Sequence, residues 1–378
     1  MKKRICFVTA IPRTAQSFLR DHIAALSKEY DIYLAGNING VEEIEGLALA
    51  GWYRIDIERG ISIRKDLKSI FEVRRLFKKE KFDAVHSVTP KAGMVTAIAG
   101  KMAGIKHRTH IFTGQVWCTR KGLIRMILKS IDKIIARLDN HILVDGKSQR
   151  DFLIKEGVLR EGQAQVFGNG SISGVNFERF VPNLRERKNV RSKLGIKDDS
   201  ICFVFLGRLT YEKGIRELYE AFNRLAGETN KVFLLLIGDD EGDFISHLND
   251  YSNINQSNCY YCGRVPNPEI ELNAGDVFVL PTYREGFGTS VLEAASIGLP
   301  AITSNVYGVL DAVIEGETGF RCKVGDIDTL YECMKKMCDN PDVMREMGVK
   351  SRKRVLSDFN GAQLTEYWMQ FYDSLLNE

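Results

Sequence analysis

The chain has 378 residues, comfortable for two domains, and its 44% hydrophobic and 27% charged content is that of an ordinary soluble globular protein. There is no run of about 18 apolar residues, which argues against a spanning helix, and eight scattered cysteines fit reduced thiols better than a disulfide framework. The net charge of +4 hides an asymmetry: residues 1–180 hold 31 basic and 19 acidic residues, and the remainder holds 22 and 30, so only the first half suits an anionic partner such as a nucleic acid or a membrane surface.

The opening MKKRICFVTA imitates a signal peptide, but its apolar run is short and reads as a first strand. DIYLAG, FDAVHSV, HRTHIFTG and NHILVDG follow as strands, separated by helical stretches at Ser17–Glu29, Arg64–Glu80 and Gly93–Ala103. The highly charged segment 181–198 contains no strand and is expected to be a linker. In the second half SICFVFLG, KVFLLLIGD, CYYCG, DVFVLPT and PAITSN read as strands. Helices are expected at Ile215–Ala226, Ser290–Ile297, Leu310–Glu315 and Ile327–Met337. The aromatic-rich stretch Ala362–Leu376 needs a surface to pack on, and the domain junction is the expected one. Strand–helix alternation of this kind implies parallel sheets covered on both faces. The predicted architecture is α/β, with two Rossmann-like, doubly wound domains facing across a cleft: residues 1–180, a linker at 181–198, residues 199–361, and a terminal helix over 362–378.

Ligands of such sheets bind beyond the carboxyl ends of the strands, so the loops there are the candidates. GRLTYEKG places Arg208 and Lys213 just ahead of a helix, an arrangement suited to a diphosphate; a solvated loop is the bland alternative. YREGFGT opens the next helix with Gly286 and Gly288, whose backbone N–H groups are free to meet an anion. Glu285 lies on that loop, where its carboxylate can accept hydrogen bonds from ligand hydroxyls. Ser290-x-x-Glu293 also matches a capping box, leaving Glu293 either a cap or a ligand carboxylate. Cys259-x-x-Cys262 has no second pair nearby and reads as part of a buried strand rather than a zinc site. No Gly-x-Gly-x-x-Gly follows the first strand and no Walker sequence is present, which argues against a dinucleotide cofactor and a P-loop ATPase.

EGFGTSVLEAASIGLP resembles the Glu-x7-Glu segment of the large retaining glycosyltransferase family 4, which has the GT-B fold. GRLTYEKG, CGRVPN and DVFVLPTYREGFG extend the likeness across the second half, and HSVTPKAG and GNGSISGVNFERF resemble bacterial capsule and O-antigen polysaccharide members. The resemblance implies that Arg208 and Lys213 hold a donor diphosphate and that Glu293 binds ribose. It places Glu285 at the transferred sugar beside Gly286, Phe287, Gly288 and Thr289, and Arg264 and Val265 beside the base. Two departures stand out. The first loop, AIPRTAQSF, lacks the family's Gly-Gly pair, and Thr113-Gly114 stands where many members have His-Gly.

The implied reaction is retaining transfer of a sugar from a nucleoside diphosphate, with UDP-hexose or UDP-N-acetylhexosamine the family-weighted donors. The acceptor is a lipid-diphosphate-linked saccharide in surface polysaccharide synthesis. Catalysis is assigned to Glu285, Arg208 and Lys213, with no cofactor and no metal. His86, Lys91 and Arg120 are the acceptor candidates. Lys121, Arg125, Lys129, Lys133 and Arg137 recur every four residues along an apolar helix, the pattern of an interfacial amphipathic helix. A helix packed on its own sheet is the competing reading. The expected location is cytoplasmic, peripheral on the inner face of the plasma membrane, contacting anionic lipid; no nucleic-acid recognition motif is visible. A nucleotide-sugar epimerase of GT-B-like fold and a non-catalytic nucleotide-sugar-binding subunit are the alternatives. The first would gain nothing from a basic helix, and the second has no use for an intact Glu285 loop.

Overall fold

The computed structural model describes residues 2–58, 60, 62–247 and 258–377. The chain forms two compact units, residues 1–173 with 362–378, and residues 174–361. The first is a seven-stranded parallel sheet of β1 (Arg4–Thr9), β2 (Asp31–Gly36), β3 (Gly51–Arg54), β4 (Ala84–Val88), β5 (His107–Phe112), β6 (His141–Val144) and β7 (Ala164–Gln165), in the order β3-β2-β1-β4-β5-β6-β7. Side chains alternate across a strand, and in β1 Ile5 and Phe7 join one core while Cys6 and Val8 join another. Both faces of the sheet are therefore covered, which is why its strands read as continuous apolar runs.

Helices Ile63–Glu80 and Pro90–Ala103 lie close to their predicted positions. The single helix expected over Ser17–Glu29 is two, Pro12–Phe18 and Arg20–Leu26. The terminal helix Gly361–Asn377 belongs to this first unit, where Leu364, Trp368, Tyr372 and Leu375 fill the core on the Phe7 face. Trp368 is sandwiched between His22 and His86, with ring centroids 4.9 and 5.0 Å away. Helix Gly122–Leu138 buries only Asp132, Ile135 and Ala136. Leu123, Ile124, Met126, Ile127 and Ile134 are exposed, Leu123 by 69% and Met126 by 64%. Among the described residues, no helix is long and apolar enough to cross a membrane.

The second unit carries β8 (Ile201–Leu206), β9 (Val232–Ile237), β10 (Cys259–Tyr261), β11 (Val277–Leu280), β12 (Ala301–Ser304) and β13 (Gly319–Cys322), all parallel, in the order β10-β9-β8-β11-β12-β13. Cys259 lies in β10 and Cys262 just beyond it, both half-buried. The segment expected to be a linker is part of this unit. Val175, Phe180, Val190 and Ile196 lie in its core, and residues Leu184–Leu194 form a helix capped by the Asn183 side chain. Two of its charges are structural: Arg187 and Arg191 pair with Asp276 at 2.6 and 3.1 Å. Leu310–Glu315 is a turn followed by irregular chain and an isolated bridge at Glu315 rather than a helix, bounded by Gly308 and Gly316 at positive φ.

Candidate active site

Strand order reverses between β8 and β11, so the loops leaving these two neighbouring strands flank the switch point where doubly wound sheets bind ligands. The β8 loop supplies Arg208 and Lys213, and the β11 loop supplies Glu285. The structure brings Lys213 and Glu285 into direct contact, Nζ donating to Oε1, with both side chains largely buried. The two loops are clasped by further bonds. The backbone N–H of Tyr283 donates to the Glu212 carbonyl at 2.9 Å, and Arg284 Nη2 meets Glu212 Oε2 at 2.5 Å. Gly214 has φ +68°, and a Cβ there would come within 2.0 Å of the Pro281 carbonyl oxygen. Only glycine permits this approach.

Gly288, at φ +80°, is the N-cap residue of helix Thr289–Ile297, and no side chain caps that helix. Ser290 therefore lies inside the first turn, and the expected capping box with Glu293 does not form. Helix start and dipole are left available to an anion. Phe287 is buried and meets Phe359 edge-on at 5.4 Å, fixing the loop from below. Burial pushes the Glu293 carboxyl up to about 7; the positive charge of Arg179 opposes that shift and the negative charge of Glu269 adds to it. Arg179 is itself bound to Glu269 at 2.9 Å and to the Pro266 carbonyl. Arg264 is exposed and Val265 packs partly on the core. Arg208 is paired with Glu241, at 2.7 Å.

Glu241, Glu212, Arg284 and Arg179 were not among the sequence candidates. Glu241 was within reach of the same reasoning, because GDDEGD is the loop that follows β9. The other three act through pairings with residues distant in the chain, which leave no local pattern.

The acceptor candidates of the first unit do not come together in the same way. His86 lies in the middle of β4, fully buried, with Nδ1 2.7 Å from Tyr372 Oη. It is a core residue, and its expected acceptor role is withdrawn. Burial and the neighbouring histidines hold its pKa well below the ordinary value. Lys91, at the start of helix Pro90–Ala103, is bound to Asp66 at 2.6 Å. Arg120 is exposed and follows the turn Val116–Thr119. The row of five basic residues also divides. Arg125 and Lys129 both hold Glu156, at 2.7 and 2.6 Å, and lie over the ring of buried Trp117. These two cations are spent on an internal partner, so they do not serve the expected lipid contact. Lys121 and Arg137 are exposed, and Lys133 is half-buried.

A model described as glycosyl transferases group 1 matches residues 186–354, and one described as a glycosyl transferase 4-like domain matches residues 19–170. The capsular polysaccharide biosynthesis glycosyltransferase CapM of Staphylococcus aureus is 32% identical over 325 residues, spanning 86% of this chain and 85% of that protein. The chain belongs to glycosyltransferase family 4, as a bacterial capsule and O-antigen type enzyme. The UDP-Gal:alpha-D-GlcNAc-diphosphoundecaprenol alpha-1,3-galactosyltransferase of Escherichia coli is 29% identical, over 80% of this chain and 78% of its own. Among solved structures, sucrose-phosphate synthase from Thermosynechococcus elongatus superposes with a TM-score of 0.80 at 18% identity, covering all of both chains. Anabaena HepE in complex with UDP-glucose gives 0.79 at 16% identity, over 98% of this chain and 99% of that one. These likenesses establish the GT-B fold of this family 4 glycosyltransferase.

Proposed function

We propose that this glycosyltransferase moves a sugar from a UDP-linked hexose or N-acetylhexosamine to a saccharide carried on a polyprenyl diphosphate, with retention and without a metal ion. The observation that carries the donor half is the Lys213–Glu285 contact at the β8/β11 switch point. Lys213, Arg208 and the uncapped start of helix Thr289–Ile297 present positive potential to a diphosphate. They would stabilise the charge that builds on the leaving phosphate. Glu293 accepts hydrogen bonds from the ribose hydroxyls, with Arg264 and Val265 beside the base. Glu285 positions the sugar. Its carboxylate is already engaged by a cation, which favours front-face attack assisted by the leaving phosphate over a covalent glycosyl-enzyme.

The acceptor half rests on relatives whose names specify undecaprenyl-diphosphate-linked sugars, those of Escherichia coli and Campylobacter jejuni. Arg120 is assigned to the acceptor phosphates, with Lys91 joining it only by exchanging its Asp66 partner. The exposed face of helix Gly122–Leu138 would rest on the inner face of the plasma membrane, with Leu123, Ile124, Met126 and Ile127 inserted and Lys121, Lys133 and Arg137 meeting anionic headgroups.

The test is a donor screen with UDP-, GDP-, ADP- and dTDP-sugars, following free nucleotide with wild type, Arg208→Ala and Lys213→Ala. Release from one donor, lost in both variants, is expected; release from none, with or without a polyprenyl-linked acceptor, overturns the donor reading. Flotation with anionic vesicles tests the membrane face. Leu123→Asp with Ile127→Asp should abolish it, and unchanged flotation sinks the assignment.

A further inference from the structure

The second unit has a cavity of about 690 Å³ at the end opposite its donor loops. It is walled by helices Leu184–Leu194 and Pro341–Asp358, with the turn Ile297–Pro300 as its floor. That turn enters β12, and Gly275 and Asp276, which lead into β11, also line the space. The cavity therefore lies at the amino ends of these strands, whereas the sugar-nucleotide residues lie at their carboxyl ends. Its volume falls within the range of sites that enclose small molecules, about 300–1,000 Å³.

The lining specifies a chemistry. Ile297, Leu299 and Met344 supply an apolar floor, and Leu184 and Val349 stand at the mouth, 76% and 70% exposed. A sugar or nucleotide would leave its hydroxyls unpaired against such a surface. The rim is cationic. Of the charged residues that line the space, Arg187, Arg345, Arg352 and Lys353 are basic and Asp276 is acidic, in a half of the chain that is otherwise acidic. Arg187 is committed to Asp276, and Arg352 Nε donates to the Ser296 carbonyl at 3.1 Å. Lys353 is exposed and has no ion pair among the described residues, and Arg345 is bound only within its own helix, to Asp342.

We propose that this cavity binds a single-chain amphipathic anion, an alkyl chain ending in a phosphate or carboxylate, with the chain over Ile297, Leu299 and Met344 and the head between Arg345 and Lys353. Charge complementarity selects an anion over a neutral amphiphile, and a volume of about 690 Å³ suits one chain rather than a lipid surface. The floor turn ends helix Thr289–Ile297, whose other end carries the donor cradle. The site is separate from the sugar-nucleotide residues and does not depend on their assignment.

The experiment is calorimetric titration of the full chain with dodecyl phosphate below its micellar concentration, against dodecanol and inorganic phosphate. One saturable site for dodecyl phosphate is expected, with dodecanol and inorganic phosphate at least about tenfold weaker. Arg345→Glu with Lys353→Glu should weaken binding by about tenfold or more, and Val349→Glu should abolish it. These are exposed positions, and circular dichroism verifies the fold. Equal affinity for dodecanol, or binding unchanged in both variants, overturns the proposal. Binding that survives Val349→Glu but is lost in Leu123→Asp with Ile127→Asp places the amphiphile on helix Gly122–Leu138, and overturns it as well.

Discussion

In the first unit, His22, His86 and His110 are sealed in the interior, two of them stacked on Trp368. In the second, Arg208, Lys213, Glu241 and Glu285 meet as ion pairs where strands end. Both units use the same doubly wound frame, and both place polar side chains at or near the strands that flank the reversal of order. Position separates them: His86 and His110 lie within strands and His22 within a helix on the sheet, whereas the four ionic groups lie on segments that follow strands. A polar group in mid-strand is covered by helices and must find a partner inside the core. The polar groups on segments that follow the strands lie outside that core, and their ion pairs can be exchanged for the charges of a ligand. One set holds the fold, and the other is the set proposed to hold substrate.

Four measurements test that contrast. Trp368→Ala should cost about 3–5 kcal/mol, the usual price of emptying a large buried aromatic site, read as a lower Tm with donor binding retained by the folded fraction. A silent substitution would mean that the stacked histidines do not depend on it. Lys213→Ala should lower kcat by about 10²–10³-fold, as for other groups that stabilise developing anionic charge, with the melting curve little changed. A large drop in Tm instead would make Lys213 a structural residue like the histidines.

The third measurement is stability against pH. Burial lowers His22 from 6.5 to about 4 and His110 to about 3. Below pH 6.5 the unfolded chain takes up protons that the folded chain refuses. Stability is therefore complete above that pH and falls as pH drops from 6.5 toward 4, by about 1.4 kcal/mol per unit for each histidine. His22→Gln should flatten the slope in denaturant titrations, and an unchanged slope would count against burial as the cause. The smallest effect concerns Glu293. Its carboxyl is raised to about 7, and only the ionised form accepts hydrogen bonds from both ribose hydroxyls. Donor affinity should rise by about tenfold as pH passes upward through 7. Glu293→Gln should abolish that dependence, and a pH-independent wild type would remove Glu293 from the ribose.

The same distinction explains what was legible in the sequence. Strands buried on both faces announce themselves as apolar runs, and β8, β9, β11 and β12 with their following loops lie where the sequence placed them. The pairing of Lys213 with Glu285 depends on neighbouring strands that are far apart in the chain, and no local spacing carries it. Helix Leu184–Leu194 reads as a linker because its charges look solvated, yet Arg187 and Arg191 reach inward to Asp276. Ser290-x-x-Glu293 spells a capping box, but Gly288 in the left-handed region starts the helix two residues earlier. Arg125 and Lys129 have the spacing of a lipid-facing stripe, and Glu156, distant in sequence, takes both. His86 illustrates the limit of reading by residue type. A histidine in a strand of the first unit reads as an acceptor contact until the terminal helix, contributed from nearly three hundred residues away, is seen to cover it.

That helix also sets an order of manufacture. The first unit lacks its last core element until residues 362–378 are made, while the second is complete by residue 361. Domains ordinarily finish folding in the order in which they are synthesised, and here the order is inverted. The nascent chain carries a finished second unit while the first still exposes the groove meant for Trp368. Synthesis of residues 362–378 becomes the step that seals the first unit, and a chain lacking them leaves its beginning, rather than its end, unfinished.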